Sequence, residues 1–462
     1  MEVKTNGNLS FWFADMGGVP DYRDPLPGDQ HVDVCIVGAG FTGLWTAYYL
    51  KKADPNLRVV VVEREFAGFG ASGRNGGFLQ GGISWSREKY LSGSSRAGVI
   101  EMDRIMHESV EEIIRVTEAE GIDADVVRVD NLMVAATPAQ WSRLKKKHRY
   151  SIDWQVPNER FELLGPDETK VRIRVKNALG SIASSGSARV QPAKLVRGLA
   201  AAVERLGVPI YEQTGVTLIE SGRVTTSRGI VRAETIVRAT EGFTAGISGL
   251  ERLWLPLNSA LIITEPLSDS TWDEIGWAGN ELLGDNSHAY CYAQRTRKGR
   301  IAMGGRGVPY RFGSRIDQRG HTQHETIRKL HEILVRVLPQ AQAARIDHAW
   351  CGVLGVPRDW CATVGLDWKT GIGWAGGYVG RGVSTSNLSG RTLCDLILRR
   401  DSRLVHLPWV NREVKQWEPE PLRWLGVHSM YQMYQFADRI EARGGTRTSW
   451  LASAANRLTG RA

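Results

Sequence analysis

The sequence has few cysteines, and none of them lies in a metal-binding pattern. The five cysteines are odd in number and scattered through the chain, at Cys35, Cys291, Cys351, Cys361 and Cys394. Zinc sites and disulfide frameworks need closely spaced or paired cysteines. The pattern argues against both, and we expect no metal centre.

Long apolar runs are also missing. No stretch approaches the roughly 20 apolar residues that a membrane-spanning helix needs. The apolar residues 11–13 are too few for the core of a signal peptide. We therefore expect a cytoplasmic protein without a membrane span.

Positive charge is abundant, but it is not concentrated in one region. The chain has 462 residues, a net charge of +9 and basic residues along its whole length. Its densest basic run, residues 143–149, is interpreted as the solvated face of one helix. A net positive charge can attract nucleic acid, yet the dispersed pattern favours a partner that is not a nucleic acid. The length predicts a large core divided between two domains.

The most informative stretch begins with the apolar run 32–37 and the turn that follows it. Gly38 permits a tight turn after the strand, Gly40 lets a phosphate approach the backbone, and Gly43 lets the next helix pack against the strand. That helix would direct its positive dipole end at the phosphates. Glu63 follows about 20 residues after Gly43, at the end of a second apolar strand, where a carboxylate can accept hydrogen bonds from the ribose hydroxyls. The order of these elements predicts a nucleotide-binding site.

Three further segments have a recognisable pattern: GASGRNGG at 70–77, a strand ending in ATEG at 236–242, and a glycine-rich turn at 376–383 ahead of a final helix. With the GAGFTG turn and Glu63, they resemble the D-amino-acid-oxidase-like superfamily of FAD enzymes, in the branch that includes gamma-glutamylputrescine oxidase and related amine oxidases. The 70–77 segment is the most discriminating, because ordinary NAD-binding domains lack it. The resemblance spans about residues 30–400.

This resemblance implies an α/β fold, α+β overall, with two kinds of domain. A Rossmann-like FAD-binding domain would be assembled from the separated segments 31–95, 188–250 and 350–400. A substrate-binding domain with an antiparallel sheet and helices would comprise 96–187 and 251–349. Residues 1–30 would form an N-terminal arm, and residues 401–462 a C-terminal helical segment.

The resemblance also assigns the FAD contacts. Ser72, Arg74 and Asn75 would donate hydrogen bonds, and Val216 would contact the adenine end through its backbone. The last glycine turn would aim a helix N-terminus at the flavin, where negative charge develops on reduction. The full set is Gly38, Gly40, Phe41, Thr42, Gly43, Glu63, Arg64, Gly70, Ala71, Ser72, Arg74, Asn75, Gly76, Gly77, Val216, Thr240, Gly377, Gly380, Arg381, Gly382 and Val383.

Cys351 falls near the position at which the sarcosine-oxidase branch attaches its flavin covalently. The residues around Cys351 do not match that branch. We therefore expect non-covalent FAD and an ordinary buried thiol.

The reaction that the resemblance implies is oxidation of a carbon–nitrogen single bond. A neutral primary or secondary amine would lose a hydride to FAD, the imine would hydrolyse to an aldehyde or ketone plus amine or ammonia, and dioxygen would be reduced to hydrogen peroxide. One alternative is a dehydrogenase that passes electrons to a quinone or a protein. Another is a non-catalytic or RNA-associated flavoprotein, motivated only by the positive charge. Monomer and homo-oligomer both stay open.

The carboxylate clamp of the amino-acid oxidases is not matched in this sequence. Those relatives carry arginines after a Trp-Gly element and at the final glycine turn. The corresponding positions here are residues 350–355 and Gly380. An amine without a neighbouring carboxylate is favoured, unless Arg381 or Arg306 takes the place of the clamp.

The candidate pocket residues share the parity of one predicted strand. Tyr290, Tyr292 and Gln294 would point to the same face, and His288 has the same parity. Aromatic rings suit an amine pocket through packing and cation–π attraction. Tyr292, Tyr290, His288 and Arg381 are therefore the candidate catalytic residues, with packing in the sheet core as the alternative for either tyrosine.

Overall fold

The computed structural model describes residues 3–156, 160–305, 310–316 and 319–459. Within these ranges the strands form two sheets. In chain order they are β1 (Thr5–Asn6), β2 (Gln30–Val37), β3 (Val59–Val62), β4 (Phe78–Gln80), β5 (Val127–Ala135), β6 (Glu162–Leu164), β7 (Gly180–Arg189), β8 (Ile210–Tyr211), β9 (Val216–Glu220), β10 (Arg223–Thr226), β11 (Gly229–Arg238), β12 (Leu255–Thr264), β13 (Leu282–Asp285), β14 (Tyr292–Arg295), β15 (Ile301–Gly305), β16 (Ile346–Val356), β17 (Thr363–Asp367) and β18 (Ile372–Gly376).

Helices cover these sheets. They are α1 (Phe11–Ala14), α2 (Phe41–Ala53), α3 (Arg96–Ala119), α4 (Pro138–Asp153), α5 (Pro166–Arg172), α6 (Pro192–Arg205), α7 (Asp269–Ile275), α8 (His324–Val337), α9 (Gly382–Ile397), α10 (Leu422–Ala442) and α11 (Trp450–Thr459). None of the helices in the described residues is both long and apolar enough to cross a membrane.

The smaller sheet has the order β17-β18-β11-β2-β3-β8, and β10 pairs with both β11 and β9. Its centre is parallel, because β2 pairs in parallel with β3 and with β11, and β11 pairs in parallel with β18. The four valines of β3 are all buried. Such a continuous apolar run is typical of a parallel strand that is covered on both faces.

The larger sheet has the order β1-β16-β12-β15-β14-β13-β5-β7-β4, with β6 on β7. Most of its pairs are antiparallel, and the parallel ones are β1 with β16 and β13 with β5. Strand β4 pairs with β7, and β16 pairs with β12 along its whole length. This architecture confirms the predicted mixed α/β fold.

Two helices begin at the carboxyl edge of the smaller sheet. Helix α2 follows β2 and helix α9 follows β18, and these strands lie on either side of β11 in a parallel arrangement. A Cβ atom at Gly390 of α9 would lie 2.7 Å from the Cβ of Trp45 of α2, so the glycine permits close packing of the two helices. Both N-termini therefore reach the edge where open α/β sheets bind their ligands.

Candidate functional site

A cavity of about 820 Å³ is lined by residues of both sheets. Apart from Gly43, Gly77 and Gly377, every predicted FAD contact lines it. All four candidate catalytic residues line it as well. The structure thus brings the predicted cofactor and substrate residues to one enclosed space.

The first glycine turn has the geometry that its spacing predicts. Gly38 has a φ of +107°, and a Cβ there would lie 2.7 Å from the carbonyl oxygen of Ala239, the residue that follows the neighbouring strand β11. A Cβ at Gly43 would lie 2.0 Å from the carbonyl oxygen of Gly38, so Gly43 serves packing of the helix on the turn. Gly40 faces the cavity, where a Cβ would lie 2.9 Å from the Ser72 hydroxyl oxygen. That hydroxyl accepts a hydrogen bond of 2.8 Å from the backbone N–H of Phe41.

Glu63 lies at the end of β3, beside this turn. Its carboxylate accepts hydrogen bonds from the backbone N–H groups of Ala39 (2.9 Å) and Glu65 (3.0 Å). Burial nevertheless raises the pKa of Glu63, because the charged form loses hydration. Arg64 stacks on the ring of Phe243 at 5.1 Å from the ring centre. These groups line the same part of the wall as Val216, the first residue of β9.

The 70–77 segment crosses from the smaller sheet to the larger one. Arg74 is buried, and its guanidinium donates to the carbonyl oxygens of Phe69 (2.8 Å) and Cys351 (3.2 Å). The Asn75 amide donates to the carbonyls of Ala71 and Ser72 and accepts from the backbone N–H of Gly77. The side-chain contacts of Asn75 thus lie within the loop itself and fix its shape.

A buried carboxyl group accepts a hydrogen bond from the last glycine turn. Glu241 accepts a hydrogen bond of 2.9 Å from the backbone N–H of Gly377, and burial raises its pKa to about 7. Gly380 has a φ of +104°. The Arg381 guanidinium donates to the carbonyl oxygen of Gly81, and burial lowers its pKa. The turn therefore places a cation at the cavity wall where α9 begins.

The ring of Tyr292 is packed between the backbone at Gly76 and the backbone at Gly304. A Cβ at Gly304 would lie 2.1 Å from its ring, and a Cβ at Gly76 would lie 2.6 Å from it. Its hydroxyl lies 3.3 Å from that of Ser259, and its ring meets Phe78 edge to face at 5.5 Å. Tyr292 therefore lines the cavity beside the 70–77 segment.

The prediction that one strand carries Tyr290, Tyr292 and Gln294, with His288 at the same parity, is wrong for Tyr290 and His288. Strand β14 begins at Tyr292, so Tyr290 and His288 lie in the connection that precedes it. The buried Gln294 amide donates to the carbonyl oxygen of Gly76 at 2.5 Å. In this connection the Asp285 carboxylate accepts a hydrogen bond from the backbone N–H of Cys291, which favours a compact loop over a longer strand.

His288 is tied to the C-terminal helices. Its Nε2 lies 2.9 Å from the Glu441 carboxylate, and its backbone N–H donates to Asp438. These three side chains lie close enough to hold a metal ion, with ligand atoms within 4.8 Å of one another. Glu441 also accepts from Arg143 (2.7 Å) and from the backbone N–H of Ser449. The trio thus serves to anchor α10 beside the cavity.

Several cavity residues were not predicted from the sequence. The interpretation of residues 143–149 as a wholly solvated face is wrong, because Arg143 and Lys147 of α4 line the cavity, whereas Lys145 and Lys146 are exposed. The i, i+4 spacing of Arg143 and Lys147 was the available signal, since it puts both on one helix face. Further wall residues that the sequence did not indicate are Arg87, His107, Met133, Gly284, Tyr434 and Asn456.

Cys351 points away from the cavity. It packs in an apolar cluster with Ala260 and Met303, and its thiol donates to the His321 carbonyl oxygen at 3.7 Å. Cys351 is not among the residues that line the cavity within the described part of the chain. Arg306, the other residue considered for a carboxylate clamp, lies outside the described residues.

The residues present fit FAD. Helix α2 directs its N-terminus at the wall where Gly40 leaves the backbone accessible, which suits a pyrophosphate. Glu63 offers carboxylate oxygens to ribose hydroxyls. The glycines at 40, 70 and 76 form a cradle that a Cβ atom would narrow at each position. The cavity size is in the range of cofactor sites.

Comparison with known proteins gives the same assignment. A family model described as DAO, FAD dependent oxidoreductase, matches residues 33–396. Gamma-glutamylputrescine oxidoreductase of Escherichia coli is 28% identical over 381 residues, which cover 81% of this chain and 85% of that protein. A Haemophilus influenzae protein named probable oxidoreductase OrdL is 27% identical over 396 residues, which cover 82% of this chain and 86% of that protein.

The structure also resembles a solved flavoenzyme. The crystal structure of glycine oxidase from Geobacillus kaustophilus has a TM-score of 0.67 at 21% identity and covers 83% of this chain and 100% of that chain. The predicted family and FAD as its cofactor are both confirmed. Because the family model spans residues 33–396, which include the glycine turns and most of the cavity wall, the chain belongs to the DAO family of FAD-dependent oxidoreductases.

Proposed function

We propose that the protein oxidises a carbon–nitrogen bond of a small amine, with dioxygen as the electron acceptor. The observation that carries the proposal is the continuity of the cavity, which joins the nucleotide-binding turn to Tyr290 and Tyr292. The names of the relatives, gamma-glutamylputrescine oxidoreductase and glycine oxidase, support substrates with an amino nitrogen. In this proposal, residues 31–95, 188–250 and 350–400 supply the cofactor domain, and 96–187 and 251–349 supply the substrate domain.

The chain's part in the reaction is to position the amine and to remove water from it. Bound FAD supplies a two-electron acceptor for a hydride. Tyr292 lies against Gly76 of the cofactor loop, so its ring can orient a substrate at the reacting end of the cavity. Tyr290 lies near Gly380, where a Cβ would be 3.8 Å from its hydroxyl oxygen. Positioning of this kind accounts for much of the catalysis when no covalent step is needed.

Charge in the wall favours the reactive form of the amine. Arg87, Lys147 and Arg381 line the cavity, and nearby positive charge disfavours a protonated amine. Burial lowers the pKa of His107 to about 4, so this wall residue is neutral at physiological pH. The site therefore favours a neutral amine with a free electron pair on nitrogen.

The N-terminus of α9 and the Arg381 guanidinium give this part of the cavity a positive potential. Such a potential stabilises negative charge that arrives with an electron pair. The substrate loses a hydride from carbon and a proton from nitrogen. Water converts the resulting imine to a carbonyl compound and an amine or ammonia, and dioxygen takes up the two electrons and two protons as hydrogen peroxide.

An anaerobic titration of the purified holoenzyme tests this function. We would record the visible flavin band while adding polyamines, N-methyl amines, amino acids or arylethylamines. Bleaching by one class supports carbon–nitrogen oxidation, and rapid recovery of the band with stoichiometric peroxide on admission of air supports dioxygen as acceptor. Recovery only with a quinone would replace the oxidase by a dehydrogenase. A band that no amine bleaches contradicts the proposal.

A further inference from the structure

Helix α4 carries two cations into the cavity, and they differ in their partners. Arg143 forms an ion pair of 2.7 Å with Glu441. Lys147, one turn further along, donates from Nζ to the sulfur of Met133 at 3.5 Å, and no carboxylate contacts it within the described residues. A thioether is a weak acceptor. The ammonium group of Lys147 is therefore enclosed without a counter-ion from this part of the chain.

Neighbouring cations add to the positive charge around Lys147. Burial, together with the positive charges of Arg381 and Arg87, lowers the pKa of Lys147 to about 8. The carboxylate of Asp103 forms an ion pair of 3.0 Å with Arg87. Arg381 donates to a carbonyl oxygen and forms no ion pair in the described ranges.

The other acidic groups of the wall have partners of their own. Glu88 accepts from Tyr150, and Asp285 accepts from Ser287 and from the backbone N–H of Cys291. Burial raises the pKa of Asp285, which weakens its use as a counter-ion. An enclosed positive charge is costly unless an anion accompanies it. The cavity thus has a surplus of positive charge beside Lys147.

The sheet register places Lys147 relative to the reacting end. Met133, Gly284 and Tyr292 are consecutive partners across β5, β13 and β14. Paired residues share a face of the sheet, and neighbouring strands lie about 4.8 Å apart, so Met133 and Tyr292 are separated by about 10 Å. Gly284 lies between them and also lines the cavity. Because Gly284 has no side chain, the cavity wall between Tyr292 and Lys147 is open at this position.

We propose that Lys147 binds a carboxylate or similar oxyanion of the amine substrate, at a distance of several bonds from the carbon that is oxidised. Arg381 and Arg87 strengthen the site by their positive field. The inference rests on the proposed amine oxidation and gives it a substrate class: amines with a remote acidic group. In an α-amino acid the amino and acid groups share one carbon, so the molecule is too short to reach from Tyr292 to Lys147.

Binding without turnover provides the first test. Calorimetry on the holoenzyme at pH 7 would compare hexanoate with 1-hexanol, which has the same chain and no charge. We expect hexanoate to bind roughly tenfold more tightly or better. A hydrogen bond between charged groups contributes more to the free energy of binding than one between neutral groups. Equal affinities would overturn the site without any mutation.

Variants on one helix provide the second test. Lys147→Met should weaken hexanoate binding roughly tenfold or more, whereas Lys147→Arg, which keeps the charge, should weaken it less. Lys146→Met removes an exposed lysine from the same helix and serves as the matched control. Equal hexanoate affinity in Lys147→Met and Lys146→Met would assign the anion to another group and overturn the proposal.

Substrate panels then separate this inference from the proposed function. Under anaerobic conditions, 6-aminohexanoate should bleach the flavin at lower concentration than hexylamine or norleucine, an isomer with adjacent amino and acid groups. If all three bleach it equally, the amine oxidation stands and the anion site is wrong. If no amine bleaches it while hexanoate binding still depends on Lys147, the anion site stands and the proposed oxidation fails.

Discussion

The Tyr378 hydroxyl meets that of Thr42 at 2.8 Å, across 336 residues of sequence. Thr42 lies in the first turn of α2, and Tyr378 lies in the glycine-rich turn that leads into α9. Both groups are buried. This contact joins the turns at the N-termini of α2 and α9, so the first and last parts of the predicted FAD site are held in a fixed relative position.

Gly40→Val should yield protein without bound FAD. The added side chain would enter the space between the turn and Ser72, where even a Cβ lies 2.9 Å from the hydroxyl oxygen. Gly426→Val is the control, because a Cβ at that position of α10 would have no atom within 4 Å among the described residues outside the neighbouring backbone of its own helix. The visible spectrum of each purified variant measures the result. A yellow Gly40→Val protein with the wild-type flavin content would contradict the assignment of the turn.

Glu63→Gln should weaken FAD binding roughly tenfold, because a hydrogen bond to a charged acceptor is replaced by one to a neutral acceptor. The reaction itself should change little at saturating FAD. Glu65→Gln, which alters the next acidic residue along the chain, serves as the control. Fluorescence titration of the apoproteins with FAD gives the dissociation constants, and equal values for the two variants would exclude the ribose contact.

Tyr292→Phe should lower kcat/KM for the amine that bleaches the flavin, by roughly tenfold. The ring keeps its packing against Gly76 and Gly304, but the hydroxyl that lies 3.3 Å from Ser259 is lost. Tyr22→Phe changes an exposed tyrosine and should have no effect. Unchanged kinetics in both variants would assign Tyr292 to the sheet core, the alternative considered from the sequence.

Glu241 gives a prediction for the dependence of stability on pH. Its pKa is raised by burial from the usual value near 4.5 to about 7. Between these pH values the folded protein keeps a proton that the unfolded chain releases, so this group's contribution to the free energy of unfolding falls as pH rises. Glu241→Gln does not titrate. From pH 5 to pH 8, the melting temperature of wild type should fall relative to that of the variant, and parallel curves would contradict the shift.

Glu441 gives the opposite dependence. Burial disfavours its charge, but hydrogen bonds from His288, the Ser449 backbone and Arg143 outweigh this and lower its pKa to about 2. Its stabilising contribution is therefore present above the ordinary carboxyl pKa and is lost as pH falls from about 4.5 towards 2. Glu441→Gln should expose α10 and α11 to proteolysis at pH 7. Susceptibility equal to wild type at pH 7 would show that the carboxylate does not anchor these helices.

The cofactor side of the fold could be predicted because its constraints are local. Gly38, Gly40 and Gly43 follow an apolar strand at a fixed spacing, and the turn they form depends on backbone geometry that few other residues allow. The last glycine turn was predicted to extend to residue 383 ahead of the final helix, whereas α9 already begins at Gly382. Element boundaries of this kind commonly shift by a few residues.

The substrate side depends on contacts between distant segments, which a pattern along the chain does not contain. Lys147 was assigned to a solvated face because its neighbours are charged, yet α4 packs with Lys147 towards Met133 of β5. Tyr434 and Asn456 reach the same cavity from the C-terminal helices. The local periodicity of the sequence does not show that these residues reach the same cavity, so only the tertiary structure identifies them.

The placement of β2 at the centre of the smaller sheet has a consequence for biosynthesis. This strand pairs with β3, which follows soon after it, and with β11. Strand β11 in turn pairs with β18, which ends at Gly376. During translation, the early glycine turn therefore leaves the ribosome long before the strands and the helix that complete its surroundings. Non-local pairings of this kind form slowly. We expect the cofactor to be captured late, when nearly the whole chain has been made.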